Sequence, residues 1–139
     1  MPSTPFLRPS STPRSARTRQ VAAVFAGGLV GSGAREGVAH LLPAGSGDFP
    51  SAVLAVNLIG SLCLGWYLMR REASVSARWS PGFWAIGVFG SFTTFSAFSL
   101  DVVRLLETGR TATAGGYVVA SIVGGLALAM AGQRIGRVA

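Results

Sequence analysis

The chain has 139 residues, which is room for one domain, and half of them are hydrophobic while only 12% are charged. This charged fraction lies below the ~25% of soluble proteins, so too few charges remain to cover a soluble surface. The basic residues are twelve arginines, the net charge is +7, and the arginines lie at the ends of apolar runs. This arrangement argues against a nucleic-acid-binding surface, which would place them along one face. The single cysteine, Cys63, excludes a disulfide framework and is interpreted as a small buried hydrophobic residue.

The composition divides the chain into three parts. Residues 1–20 are rich in Ser, Thr, Pro and Arg and have no apolar periodicity, which predicts a disordered basic tail. Residues 21–133 hold four apolar runs, and residues 134–139 form a short basic C-terminal tail. We therefore expect an all-α membrane protein with four transmembrane helices per chain.

The first apolar run covers residues 21–42. A signal-peptide core is the alternative, but three further runs follow and G-G-L-V-G-S-G-A is too rich in glycine for that role, so we favour a retained helix. Arg35 lies near its C-terminal end and either anchors the helix by snorkelling or attracts anions at a pore mouth. His40 lacks nearby partners for a metal site or a catalytic base and is interpreted as interfacial.

The second run covers residues 50–69 and contains one strongly polar residue, Asn57, near its centre. An amide at that depth needs a partner, and two alternatives stay open: a hydrogen bond to a neighbouring helix, or a donor that faces a pore. Gly60 and Gly65 give this helix a small-residue face, to which another backbone can come close.

The third run covers residues 82–106 and includes G-V-F-G-S-F-T-T-F-S-A-F-S-L-D. Hydroxyl residues and glycines persist at membrane depth where they face protein or a wet cavity, so this stretch is interpreted as the lining of a path. Gly87 and Gly90 weaken the helix near its middle, and a break there frees carbonyl oxygens. Phe95 and Phe98 are spaced i, i+3 and share one face, either for packing or to turn positive ring edges toward a small anion.

The fourth run covers residues 112–132 and carries Tyr117, Ser121, Gly124 and Gly125. The sequence has no Gly-rich phosphate loop after a strand, no Cys/His cluster with metal spacing and no Ser/His/Asp set, so we expect no enzyme activity. The small-residue faces of the four helices predict an oligomer.

Three motifs resemble those of the small bacterial fluoride channels of the Fluc (CrcB) family over nearly all of residues 24–132. They are G-G-L-V-G-S-G-A-R at residues 27–35, V-N-L-I-G-S at residues 56–61 and G-x-x-G-S-F-T-T-F-S-A-F-S at residues 87–99. The third motif is long and highly specific, whereas the first is a weak glycine pattern.

The resemblance implies an antiparallel, dual-topology dimer in the bacterial plasma membrane that exports fluoride passively through two pores. It also implies a central structural sodium ion that is not transported and is held by the backbone carbonyls of Gly90 and Thr93 from each subunit. The residues that it assigns to the fluoride pore are Asn57, Thr94, Phe95, Phe98, Ser99, Tyr117 and Ser121.

The chain departs from the family pattern at three places. Gly125 replaces a second Ser of the fourth helix, Ala52 and Val53 replace a Gly-Thr pair, and Asp101 replaces a Glu. Each change removes a hydroxyl or shortens a side chain along the expected ion path, which bears on the number of hydrogen-bond donors in one pore.

Two other functions remain as alternatives. A small four-helix multidrug or cation exporter needs a membrane-embedded acid in its first helix, and the only acid there, Glu36, lies beside Arg35 near the helix end. A non-conducting assembly subunit would use Asn57 and the glycines for packing alone, and only the third motif argues against it.

The arginines also predict an orientation. With four spans, the two tails and the loop between spans two and three share one side and carry nine arginines, whereas the other side carries Arg35, Arg104 and Arg110. This bias predicts that both termini are cytoplasmic. An antiparallel dimer then needs a homologous subunit of opposite bias, and the alternative is a dual-topology homodimer of this chain.

Overall fold

The computed structural model describes residues 14–42, 49–73 and 81–138, and all regular secondary structure in these ranges is helical. In chain order, the elements are α1 (Arg14–Leu41), α2 (Ser51–Ala73), the π-helical segment π1 (Gly82–Phe89), the single turn α3 (Gly90–Phe92), α4 (Phe95–Glu107) and α5 (Thr111–Val138). The prediction of an all-α protein is confirmed for these ranges.

The ends of the first and last helices differ from the prediction. Helix α1 begins at Arg14, so residues 14–20, predicted to be disordered, are helical. The reason is that this stretch has no proline and contains Arg, Ala and Gln, which are good helix formers that extend an existing helix at little cost. Helix α5 likewise continues to Val138 through the predicted tail. The rest of the predicted N-terminal tail, residues 1–13, lies outside the described residues.

Three helical stretches of the described chain are long and apolar enough to cross a membrane: Ser51–Arg71, Gly82–Glu107 and Thr111–Val138. Helix α1 has 28 residues, which is about 42 Å, but it does not join them. Its glycines and serines lower its hydropathy, and Arg35 and Glu36 interrupt its C-terminal part. The chain is therefore a helical membrane protein with three apolar spans and one less apolar long helix.

The helices form two parallel pairs, and glycines bring each pair together. Helix α1 packs along π1 and α3, and Gly27 lies against the carbonyl oxygen of Phe83. Helix α2 packs along α5, where Gly132 lies against the carbonyl oxygen of Leu62. The third span runs antiparallel to α2, since Gly60 meets Thr93 and the Tyr67 ring meets the Phe89 ring at 5.9 Å. The beginnings of α1 and π1 therefore lie at the same end of the bundle as the ends of α2 and α5.

Helix α4 is buried on one face only. Leu105 packs with Ala114 and Tyr117 in a small buried cluster, but the opposite face of α4 is exposed along its length. The extreme case is Phe95 at the start of this helix, whose side chain is 80% exposed. This part of the third span is therefore open to another surface.

The close approach of α2 and α5 gives a stability prediction. Gly132→Ala places a methyl group against the backbone of Leu62, so the helices must separate, and we expect a loss of about 1–3 kcal/mol in the free energy of unfolding. Thermal unfolding in detergent measures this loss. The matched control on the same helix is Gly116→Ala, where a methyl group meets nothing within 4 Å. Equal unfolding temperatures for the two variants would contradict the packing.

Candidate functional site at the break of the third span

The third span is broken at two threonines between α3 and α4. Thr93 has φ −76° and ψ 153°, and Thr94 has φ −146° and ψ 120°, so both have extended backbone. The predicted break near the middle of this helix is confirmed. The glycines do not produce it, however, because Gly90 stays helical and Gly87 serves the close contact with Gly27.

Asn57 of α2 holds the broken backbone through both the N–H and the carbonyl of one residue, Thr94. The backbone N–H of Thr94 donates to Asn57 Oδ1 at 2.8 Å, and Asn57 Nδ2 donates to the Thr94 carbonyl at 3.1 Å. The Thr94 hydroxyl then accepts from the backbone N–H of Ala97 at 3.2 Å and caps α4. Of the two alternatives for Asn57, the hydrogen bond to a neighbouring helix is present. A second N–H of its amide remains available, since an NH₂ group has two donors.

The same bonds free two carbonyl oxygens. In an uninterrupted helix, the N–H of Thr94 would donate to the carbonyl of Gly90, and the N–H of Ala97 to that of Thr93. Both N–H groups are instead used by Asn57 and the Thr94 hydroxyl. The carbonyls of Gly90 and Thr93 thus lose their helical partners. Carbonyl oxygens are the ligand type that a hard cation takes, so these two residues fit an ion such as sodium.

An open cleft of about 370 Å³ lies beside the break. Its walls come from α2, the break, α4 and α5. The lining residues are Asn57, Gly60, Ser61, Leu64, Thr93, Thr94, Phe95, Phe98, Ser121 and Ile122. Three parts of the chain that are distant in sequence, namely α2, the break with α4, and α5, therefore bring most of the predicted pore residues to one place.

Three residues that were predicted for the fluoride pore or its mouth do not line the cleft. The Ser99 hydroxyl donates to the Phe95 carbonyl at 2.9 Å within α4, and Tyr117 lies behind Phe98. Arg35 is half-buried on α1, away from the cleft, which leaves both of its interpretations open. Gly60 and Ser61 also line the cleft but are not among the predicted site residues. Gly60 lies at i+3 and Ser61 at i+4 from Asn57, which places both on the same face of α2 as Asn57.

Phe95 and Phe98 line the cleft, and two further rings continue this row behind them. The ring centroids of Phe95 and Phe98 lie 5.8 Å apart, and those of Phe98 and Tyr117 lie 5.2 Å apart. Phe49 meets the Tyr117 ring edge-on at 5.7 Å from the other side. Phe98 is thus fixed by neighbours, whereas Phe95 extends this row outward to the exposed edge of the bundle.

Within the described part of the chain, three buried side-chain oxygens have no hydrogen-bond partner: Asp101 Oδ2, Tyr117 OH and Ser121 Oγ. The Asp101 carboxyl and the Tyr117 hydroxyl face each other between α4 and α5. A buried polar atom without a partner costs free energy, so the oxygen that indicates a missing partner is Ser121 Oγ. Asp101 was noted in the sequence only as a departure from a pattern. Its i+3 spacing from Phe98 places it on the same face of α4 and would have identified it.

The cleft suits loose contact with a small anion. The groups that line it are two phenylalanine rings, hydroxyl groups and an amide, and no arginine or lysine lines it. Neutral donors hold an anion more weakly than a guanidinium does, as conduction requires. The described residues also contain no group of three His, Cys, Asp or Glu side chains that could hold a metal ion.

Comparison with known proteins places the chain in a family. The sequence pattern of the family described as "CrcB-like protein, Camphor Resistance (CrcB)" matches residues 22–133, which cover all the helices that build the cleft. The chain belongs to the CrcB family.

Several relatives in the CrcB family are similar over most of their length. A protein of Paracoccus denitrificans named "Fluoride-specific ion channel FluC" is 43% identical over 114 residues, which are 82% of this chain and 91% of the relative. A protein of the same name from Stutzerimonas stutzeri is 42% identical and covers 86% of this chain and 98% of its own length. "Fluoride-specific ion channel FluC 2" of Listeria monocytogenes is 46% identical over 66% of this chain.

Proposed function

We propose that this CrcB-family protein is a fluoride-specific channel that lets fluoride leave the cytoplasm passively and limits its toxicity. The observation that carries the proposal is the cleft at the break, which Phe95 and Phe98 line together with neutral donors and with no basic residue. The relatives named as fluoride-specific ion channels support the choice of anion. The chain forms a path for an ion, so we propose no enzyme activity for it.

Fluoride crosses the protein through weak successive contacts. The free N–H of Asn57 and the ring edges of Phe95 and Phe98 contact the ion in the cleft, and the hydroxyls of Tyr117 and Ser121 continue the path along α5. The unpartnered state of the Ser121 hydroxyl supports this role, because it has a hydrogen to donate. The Tyr117 hydroxyl lies beside the Asp101 carboxyl. Thr94 and Ser99 shape the path by capping and bonding the backbone of α4.

We further propose four spans and an antiparallel dimer in the bacterial plasma membrane. Helix α1 lies in parallel contact with a segment of the third span through Gly27 and Gly31, so it shares the depth of an apolar span. The 80% exposure of Phe95 and the open side of the cleft support a second subunit that covers them. The freed carbonyls of Gly90 and Thr93, one pair from each subunit, would hold a structural sodium ion at the dimer centre. When bound, this ion joins the two broken helices electrostatically.

The rival exporter is disfavoured by the state of Glu36. This acid lies 3.4 Å from His40 one turn later on α1, and its side chain is 70% exposed near the helix end. A proton-coupled carrier needs an acid held within the membrane interior, which this position does not supply.

Growth in fluoride tests export from the cytoplasm. A bacterium without its own fluoride exporter is expected to grow in fluoride medium when it expresses this chain with its natural partner, because passive efflux lowers cytoplasmic fluoride. Growth curves against an empty vector and against Phe95→Ile measure the effect. Equal fluoride sensitivity of the wild type and the empty vector, at verified membrane expression, would contradict the proposal.

The arginine bias gives a prediction about the partner. If a homologue of opposite orientation completes the channel, both termini of this chain expressed alone lie in the cytoplasm. A membrane-impermeant cysteine reagent maps them on a Cys63→Ala background with one cysteine added at either end. Labelling from both sides in equal amounts, with fluoride flux from the single gene product, would exclude the heterodimer and establish a dual-topology homodimer.

A further inference from the structure

Charge is distributed unequally between the two ends of the bundle. The end that contains the start of α1 and the ends of α2 and α5 carries seven exposed arginines, and we call it the arginine-rich end. They are Arg14, Arg17, Arg19, Arg70, Arg71, Arg134 and Arg137. In the described ranges none of them forms an ion pair, and the one acid of the sequence next to them is Glu72. At the other end, Arg35, Arg104 and Arg110 alternate with Glu36 and Glu107.

Helix α1 extends beyond its neighbour at the arginine-rich end. Gln20 contacts Gly82 at the start of π1, so residues 14–19 project past this point by about 9 Å. On the outer face of this extension lies a shallow depression of about 340 Å³, which is lined by Arg14, Arg17, Thr18 and Val21. This depression does not belong to the cleft at the break, since the two share no lining residue.

The same face of α1 changes from basic to apolar within two turns. Val21, Phe25 and Leu29 follow the depression at i+4 spacing, and their side chains are exposed by 63%, 69% and 62%. Two guanidinium groups therefore stand directly above a continuous apolar strip. The Thr18 hydroxyl donates to the Arg14 carbonyl of its own helix at 3.0 Å, so the arginines are the groups left to bind an acceptor.

We propose that this face of α1 is a binding site for an anionic phospholipid. The head-group phosphate binds the guanidinium groups of Arg14 and Arg17, whose planar forks match phosphate oxygens, and an acyl chain lies along Val21, Phe25 and Leu29. The other arginines of this end add a positive field that attracts anionic lipids over zwitterionic ones. The site is independent of the proposed ion path.

The level of the arginines in the membrane supports a lipid as the occupant. Arg70 lies with its guanidinium carbon 6.0 Å from the ring centroid of Trp66, and Trp84 lies in the first turn of the neighbouring π1. Tryptophan is enriched at the head-group level, so this end of the bundle lies at the membrane interface. Basic side chains just outside the apolar region then meet lipid phosphates.

The test measures lipid-dependent thermal stability of the purified full chain in a neutral detergent. The probes are short-chain phosphatidylglycerol, short-chain phosphatidylcholine and inorganic phosphate, titrated separately. We expect phosphatidylglycerol alone to raise the unfolding temperature of the wild type. Arg14→Gln combined with Arg17→Gln is expected to weaken this binding on the order of 30-fold, from the attraction between basic side chains and anionic lipid.

Two control variants distinguish lipid binding at Arg14 and Arg17 from attraction to the net positive charge of this end of the bundle. Arg134→Gln combined with Arg137→Gln removes the same charge at the same end and is expected to keep most of the binding. Arg14→Lys combined with Arg17→Lys keeps the charge and is expected to weaken the binding less than the glutamine pair. The proposal is overturned by equal loss in both glutamine pairs, by equal stabilisation with phosphatidylcholine, or by a shift of the same size with inorganic phosphate.

Discussion

Phe98→Ile and Phe95→Ile are each expected to abolish fluoride flux, down to the leak of protein-free vesicles. Both rings line the cleft. Isoleucine keeps apolar bulk but has no ring, so the partial positive edge that the proposal assigns to the contact with fluoride is lost. Efflux from liposomes, followed with a fluoride electrode, measures the loss. The Phe95 variant is the easier of the two to interpret, because Phe95 is 80% exposed and its replacement removes little internal packing.

Phe49→Ile is the matched control for the two phenylalanine variants. Its ring contacts Tyr117 at 5.7 Å, as Phe98 does at 5.2 Å from the other side, but Phe49 does not line the cleft. We expect its flux to stay close to that of the wild type. If Phe95→Ile and Phe98→Ile also conduct like the wild type while inserting normally, both rings are packing residues and the ion path lies elsewhere.

Asn57→Asp is expected to suppress fluoride flux and to destabilise the break. The carboxylate still accepts from the backbone N–H of Thr94, but it no longer donates to the Thr94 carbonyl, which now faces an acceptor. Loss of this buried donor costs about 1–3 kcal/mol. The negative charge also repels an anion in the cleft that Asn57 lines. Flux and thermal unfolding are measured on the same preparation.

Ser61→Ala controls for changes in the same wall of the cleft. The Ser61 hydroxyl donates to the Asn57 carbonyl at 2.8 Å within α2, so its removal leaves the contacts between Asn57 and Thr94 intact. Flux near that of the wild type is expected. If Asn57→Asp lowers stability but leaves flux per folded protein unchanged, Asn57 serves only to join the two helices.

The helices of this chain follow from its sequence because the apolar runs are long and separated by Pro, Gly and Arg. The break also follows, since hydroxyl residues in an apolar helix compete for backbone groups. Its position at Thr93 and Thr94 does not follow, because it depends on Asn57 of another helix, 37 residues away. Helix propensity predicts that Gly87 weakens the helix, whereas in the structure it provides the close contact with Gly27, which is a tertiary effect.

The candidate site was accessible from sequence mainly through the resemblance. Helical spacing alone places Phe95 and Phe98 on one face and favours ordinary aromatic packing. The buried, unpartnered oxygens of Asp101, Tyr117 and Ser121 come from two helices, and no local pattern relates them. The lack of apolar periodicity predicts disorder for residues 14–20, but Arg, Ala and Gln extend a helix well and α1 begins at Arg14.

The central claim is that this chain conducts fluoride, and the most direct test is release of fluoride from liposomes that contain the purified protein with its partner. Vesicles loaded with potassium fluoride are placed in fluoride-free medium, and valinomycin starts the release by letting potassium follow. The account predicts rapid fluoride release, far slower release of chloride from matched vesicles, and no proton-coupled uptake of an organic cation. An intact dimer that releases no fluoride under these conditions would contradict the account, and uptake of the organic cation would favour the exporter.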